Sequence, residues 1–335
     1  MKKNILLILS IFLCVIKNNA DEGMWLPQLL HTMNMEEMKE CGLRLSAEEL
    51  YSINNSSLKD AIVSLNNGSC TGEMISAEGL MLTNHHCAFG SIQNHSNVKN
   101  DYLEDGFWAM SRDDELPNEN LTASFLIKIE DVTKQITNSI SIEDGEKERN
   151  IKIKEASKKI IEEATKETNY NATVKSFFAG NKFYMLIYET FKDIRLVGAP
   201  PSSIGKFGGD TDNWMWPRHT GDFALFRVYC APDGTPASFS TENVPYEPKH
   251  HLPIQLDGAN DNDYSMVFGF PGSTNRYLTS YGVEQALNIK NPTIINIRDK
   301  KLEVMRSYMD TNHTIKIQYA TKYAQTSNYW KYYIG

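Results

Sequence analysis

The sequence predicts a mixed, mainly β protein: a β-rich region carrying helical insertions, followed by the opening of a helical domain. Three observations carry that reading. Runs of apolar, β-branched and aromatic residues bounded by Gly, Pro or Asn recur at Glu73–Thr83, Ala123–Ile129, Lys182–Val197, Asp222–Tyr229 and Tyr264–Phe270, as strands do. Between them, Ser141–Thr168 is dense in Lys and Glu and repeats its apolar residues at helical spacing. From about Tyr277 the pattern changes to that of helices. With 335 residues, 41% of them hydrophobic and 10% aromatic, the chain can bury one large core or two ordinary ones.

Taken in order, Met1–Ala20 has the form of an export signal: Lys2 and Lys3, the apolar run Ile5–Ile16, then Asn-Asn-Ala. That run is shorter than a membrane span needs. The remainder divides at a change of texture into 21–276, the β-rich region, and 277–335, the start of the helical domain. Met35–Leu65 carries helical patterning through Leu43, Leu50, Ile53, Leu58, Ile62 and Leu65, and Asn54-Asn55-Ser56 breaks it into two helices. Glu73–Ser76, a turn at Ala77-Glu78-Gly79 and Leu80–Thr83 then form a hairpin that runs into Asn84-His85-His86-Cys87. Asn97–Asn118 is irregular around Tyr102, Phe107 and Trp108. In the charged helix, Ile153, Ala156, Ile160 and Ala164 make a narrow apolar stripe, and its Lys and Glu residues pair four apart on a solvated face. Pro200-Pro201 stops the aromatic run before it. Asn291-Pro292 reads as a helix start, with Asn as cap and Pro in the first turn.

Charge and cysteine content narrow the function. Three lysines and no acids lie within Met1–Ala20, so removing it takes the formal charge from −8 to −11. An acidic chain without a basic block is a poor nucleic-acid binder. Four cysteines lie beyond that stretch (Cys41, Cys70, Cys87 and Cys230), an even number that suits disulfides in an oxidising compartment. Cys41 and Cys230 are either a second bridge or two buried thiols. No metal is expected. His85, His86, Cys87 and His219 offer donors, but adjacent histidines on an extended chain diverge and lack helical His-x-x-x-His spacing.

Chemistry concentrates in Gly205–Tyr229, GKFGGDTDNWMWPRHTGDFALFRVY, a Gly- and Trp-rich loop feeding a strand. Asp222 opens that strand, on one face with Ala224 and Phe226. An acid there is either a cap or turn residue, or the carboxylate that holds a catalytic imidazole in its productive tautomer. The hairpin supplies the imidazole. A strand running into His and then Cys resembles trypsin-like proteases, in which the general-base histidine is followed by a cysteine bonded to one upstream. That resemblance makes His86 the candidate base and implies a Cys70–Cys87 bridge, worth roughly 3 kcal/mol for a loop of this size. His86 before Asp222 is also the chymotrypsin-type order, in which the serine comes last.

Longer motifs sharpen the resemblance. TNHHC, FGGDTDNWMWPRHTGDF, FGFPGSTNRY and SNYWK closely resemble the exported bacterial dipeptidyl peptidases of chymotrypsin type, the family of dipeptidyl-peptidases seven and eleven. The resemblance runs from about Trp25 to Gly335 and implies a trypsin-like β-barrel half, with a helical domain inserted after it. It also implies a serine dipeptidyl aminopeptidase, located in the periplasm or at the cell surface, acting without a cofactor on oligopeptides with a free amino terminus. Homodimerisation is the default expected of the full-length form. His86 would be the base and Asp222 its orienting acid. Asn213, Trp214 and Asn328 would bind the substrate ammonium, with Asn oxygens accepting from it and the indole walling off the cleft.

One departure bears on activity. The family's serine sits in a Gly-Asn-Ser-Gly-like turn, and no Gly-x-Ser-Gly sequence occurs in these 335 residues. Ser273, in Gly-Phe-Pro-Gly-Ser-Thr, is the nearest imitation and occupies a strand-end turn of the family pattern. The chain is therefore expected to be a fragment inactive alone. The alternative is a non-catalytic binder of peptide amino termini from a truncated gene.

Overall fold

A computed structural model describes residues 24–272, 275 and 277–335; the export-signal stretch and Ser273 lie outside them. The chain opens with short helical pieces, of which α1 (Met35–Glu40) is the longest, packed through Leu30, Met35, Met38, Leu43 and Leu50. Eleven strands then build one antiparallel sheet among the described residues: β1 (Ile62–Leu65), β2 (Cys70–Met74), β3 (Leu80–Thr83), β4 (Phe107–Trp108), β5 (Leu116–Pro117), β6 (Ala123–Asp131), β7 (Tyr170–Phe177), β8 (Lys182–Phe191), β9 (Asp193–Ala199), β10 (Ala224–Cys230) and β11 (Val244–Pro245). The order along the sheet is β4-β9-β10-β3-β2-β1-β6-β8-β7, with β5 paired to β9 and β11 to β10. The helices that bear on function are α2 (His85–His95), α3 (Glu146–Ala164), α4 (Ser280–Gln285), α5 (Asn291–Met309) and α6 (His313–Ile334).

The largest core lies on the sheet face covered by α2, where Val63, Met74, Met81, Phe191, Ile194, Leu196 and Phe226 meet Ala88 and Ile92 of the helix. A second layer forms where α3 lays Ile153, Ala156, Ile160 and Ala164 against Phe183, Met185 and Ile187 of β8. The apolar stripe read in the sequence is thus the buried seam of an otherwise solvated helix.

Three readings of the sequence need correction. Met35–Leu65 is not two long helices. Gly42, at φ +108°, follows α1, and the segment ends as β1, buried at all four positions between β2 and β6. Ile62 and Val63 are β-branched, and Asn66-Asn67-Gly68 holds the left-handed conformations of a turn into β2, a hairpin signal that outweighs helical spacing. Tyr264–Phe270 is irregular: its backbone finds no strand to pair with among the described residues, and Phe270 N–H bonds the Thr71 hydroxyl instead. Asn291 does not cap a helix. Helical backbone begins at Ser280, where Thr279 accepts from Gly282 N–H, and passes through a wide π turn at Ala286–Lys290 into α5. Pro292 has no N–H to give and its ring needs room in the preceding turn, which the wider π geometry supplies.

Candidate active site

β3 runs directly into α2, whose N-cap is Asn84, so the two histidines open the helix. The buried Ala88 and Ile92, one turn apart, fix which way the helix faces. His85 consequently turns inward, 1% exposed, while the His86 side chain remains 68% exposed. Cys87 is bonded to Cys70, which ties the first turn of α2 to β2.

Antiparallel pairing of β10 with β3 sets Ala224 opposite Thr83, and this register brings Asp222, just before β10, to the start of α2. Its Oδ2 lies 2.7 Å from His86 Nδ1, and its Oδ1 accepts the His86 backbone N–H at 3.0 Å. Asn84 Nδ2 donates to the Asp222 carbonyl at 3.0 Å and to Oδ2 at 3.3 Å. First-turn N–H groups of a helix have no partner within it, and negative charge is favoured there. Asp222 therefore accepts from the first turn of a helix and contacts an imidazole at once. Burial pushes its carboxyl up, but the His86 ring, its charge and its N–H together outweigh burial and hold it below the ordinary aspartate range. A carboxylate on Nδ1 favours the tautomer protonated there and leaves Nε2 as an acceptor.

The Gly205–Gly221 loop carries the next group. Asn213 Nδ2 donates to Asn328 Oδ1 at 2.9 Å, and Trp214 Nε1 donates to the Asn328 carbonyl at 3.1 Å. Three residues named from two separate motifs thus form one cluster spanning loop and α6. Arg218 donates to Asn213 Oδ1 at 3.2 Å, and the Trp214 ring rests on Tyr332 with centroids 5.2 Å apart. A cavity of about 1020 Å³ is lined by this cluster together with His86 and Asp222. Helix α6 is held beside α2 by Gln93, whose amide donates to the Gln318 carbonyl at 2.9 Å and accepts Thr321 N–H at 2.8 Å.

Cys70, His86 and Cys87 bring potential ligand atoms within 4.8 Å of one another, but both sulfurs are spent in the disulfide. Cys41 and Cys230 are not joined to each other; Cys230 is buried and bonds the Val244 carbonyl, while Cys41 is exposed. Sequence reading missed Asn84, Gln93, Arg218 and Tyr332. Asn84 alone was signalled, as the polar residue between the strand end and the histidine pair.

An antiparallel sheet that presents a His–Asp pair and an Asn–Trp–Asn cluster to one cavity has the parts of a peptidase site. Residues 20–335 match Peptidase S46, and the chain belongs to that family. It is 52% identical over 328 residues to an Asp/Glu-specific dipeptidyl-peptidase of Flavobacterium psychrophilum, covering 98% of this chain and 46% of that protein. It is 48% identical over 344 residues to dipeptidyl-peptidase 7 of Phocaeicola vulgatus, covering 100% and 47%. The crystal structure of Porphyromonas endodontalis DPP11 in complex with the dipeptide Arg-Asp superposes with a TM-score of 0.88 at 40% identity, covering 94% of this chain and 46% of that one. The chain thus spans about half the length of the relatives it matches.

Proposed function

We propose that these residues form the base-bearing and amino-terminus-binding part of a serine dipeptidyl peptidase that releases dipeptides from oligopeptides with a free amino terminus. The observation that carries the reading is the 2.7 Å His86–Asp222 contact in the same cavity as the Asn213–Trp214–Asn328 cluster. His86 Nε2 takes the proton of an attacking hydroxyl, and Asp222 stabilises the imidazolium that forms. Asn213 and Asn328 bind the substrate ammonium and Trp214 closes the cleft behind it. The names of the relatives and the dipeptide bound to DPP11 support the substrate class.

In this reading the sheet is the first half of a trypsin-like catalytic domain, followed from about residue 277 by the helical domain, and the protein is exported. No nucleophile is assigned among the 335 residues, so the chain alone has no serine-protease turnover. The test assays the purified chain on dipeptide-linked chromogenic substrates beside a version extended to the length of its relatives. The expected outcome is turnover by the extended version alone, abolished by a serine-directed phosphonate and by acetylating the substrate. Phosphonate-sensitive turnover by the short chain would mean that it holds a nucleophile, with Ser273 the first residue to mutate.

A further inference from the structure

The Gly205–Gly221 loop is tied off at its base, and both ends of the tie rest on the two histidines. At one end the His85 ring lies against the Gly205 backbone so closely that a Cβ on Gly205 would stand 2.4 Å from ring carbons. Only glycine fits there. His85 is itself fixed: it is 1% exposed and packs edge-on against Phe89 at 5.7 Å. At the other end Thr220 donates its hydroxyl to the Ile204 and Gly205 carbonyls, each at 3.1 Å, and Gly221 N–H bonds the Ile204 carbonyl at 3.0 Å. The next residue is Asp222, on His86. The loop that carries Asn213 and Trp214 therefore stands on the same helix start that carries the candidate base.

We infer that His85, with Gly205 and Thr220, is a positioning device that fixes the distance between the amino-terminus cluster and His86, and so sets how many residues fit before the scissile bond. The inference rests on the function proposed above. His85 touches neither substrate nor the reacting atoms in this scheme; its ring face sets the height of the loop.

The test uses the chain extended to the length of its relatives and reads product length by mass spectrometry, alongside kcat, KM and thermal melting. The unsubstituted protein must first release dipeptides; if it does not, the functional reading fails and the variants are not needed to decide it. Gly205→Ala drives a methyl into the His85 ring, displaces the loop and is expected to lower kcat/KM about 100-fold, mainly through KM. His85→Ala removes the ring together with the Cγ that a Cβ on Gly205 would meet. In the His85→Ala background, Gly205→Ala fills the vacated space and is expected to restore most of the loss relative to either single change. Thr220→Val removes the two hydroxyl bonds of the tie without changing shape, leaving only the Gly221 N–H bond to the Ile204 carbonyl, and tripeptides are expected among its products. This variant decides the matter should Gly205→Ala fail to fold. Additive losses in the double variant, or products that remain purely dipeptides in Thr220→Val, would overturn the inference.

Discussion

Two neighbouring imidazoles meet opposite fates because an α-helix turns by about 100° between successive residues. His86 faces the cavity, and His85 faces the core. Burial lowers the His85 pKa from its ordinary 6.5, with the Asp222 charge opposing only in part. The consequence for stability has a definite sign. Above about pH 6.5 the ring is neutral in both folded and unfolded chains, and its contribution is fully present. As pH falls below that value the unfolded chain takes up a proton the folded one refuses, so stability declines until the folded pKa is passed. Urea unfolding at steps between pH 7.5 and 5 should show this slope, and His85→Asn should flatten it. Asp222 acts lower: its depressed pKa stabilises the fold above the ordinary carboxylate value near 4, and that contribution is lost in more acidic solution. In the extended protein, Asp222→Asn should cost about 10⁴-fold in kcat, because an amide favours the wrong imidazole tautomer. A variant that kept its kcat would remove Asp222 from the proposed mechanism. His86 and Asp222 are singled out by resemblance to known protease motifs, with a strand end beside each as the local signal, and the structure brings the two side chains together. The burial of His85 could not be read from the sequence, since it depends on the phase of a helix that begins only at that residue.

Elements were readable where pattern and environment agree. The stripe on α3 is an example, since a solvated helix with one seam needs no knowledge of what covers it. β1 shows the opposite case: its helical spacing was real, but burial on both sides by β2 and β6 is a tertiary fact. The pin between β2 and α2 gives an element-scale prediction. Removing the Cys70–Cys87 bridge by Cys70→Ala should cost about 2–5 kcal/mol, since a constraint on the unfolded chain is lost. Chemical denaturation measures it, and mass mapping of the unreduced protein that found both thiols free would remove the premise. The joint between α2 and α6 was invisible in the sequence, because Gln93 grips backbone groups more than 200 positions away, which carry no side-chain signature. Gln93→Leu deletes both hydrogen bonds and should cost about 1–2 kcal/mol. Hydrogen exchange should accelerate along His313–Ile334 more than in the sheet.

At the scale of the whole molecule, amino-terminus recognition and base chemistry fall, on the proposed reading, to different side chains, so binding can be tested apart from turnover. Asn213 and Trp214 meet Asn328 across 115 and 114 sequence positions, so the three residues proposed to hold the substrate ammonium come together among the described residues. Catalysis on the proposed reading needs in addition a hydroxyl held near His86, which no residue here is assigned to supply. The 335 residues should therefore bind an oligopeptide with a free amino terminus without cleaving it. Trp214 lies against Tyr332 and is half exposed, so its fluorescence should respond when a peptide fills the cavity. Acetylating the peptide removes the charge that the Asn oxygens accept from and should abolish the response. Asn328→Ala should weaken binding of the free peptide, since it deletes the side chain that Asn213 is bonded to, while leaving the His86–Asp222 contact intact. Isothermal titration with matched free and acetylated peptides decides the point: equal affinity for the two would separate this cavity from amino-terminus recognition, whatever the extended protein cleaves.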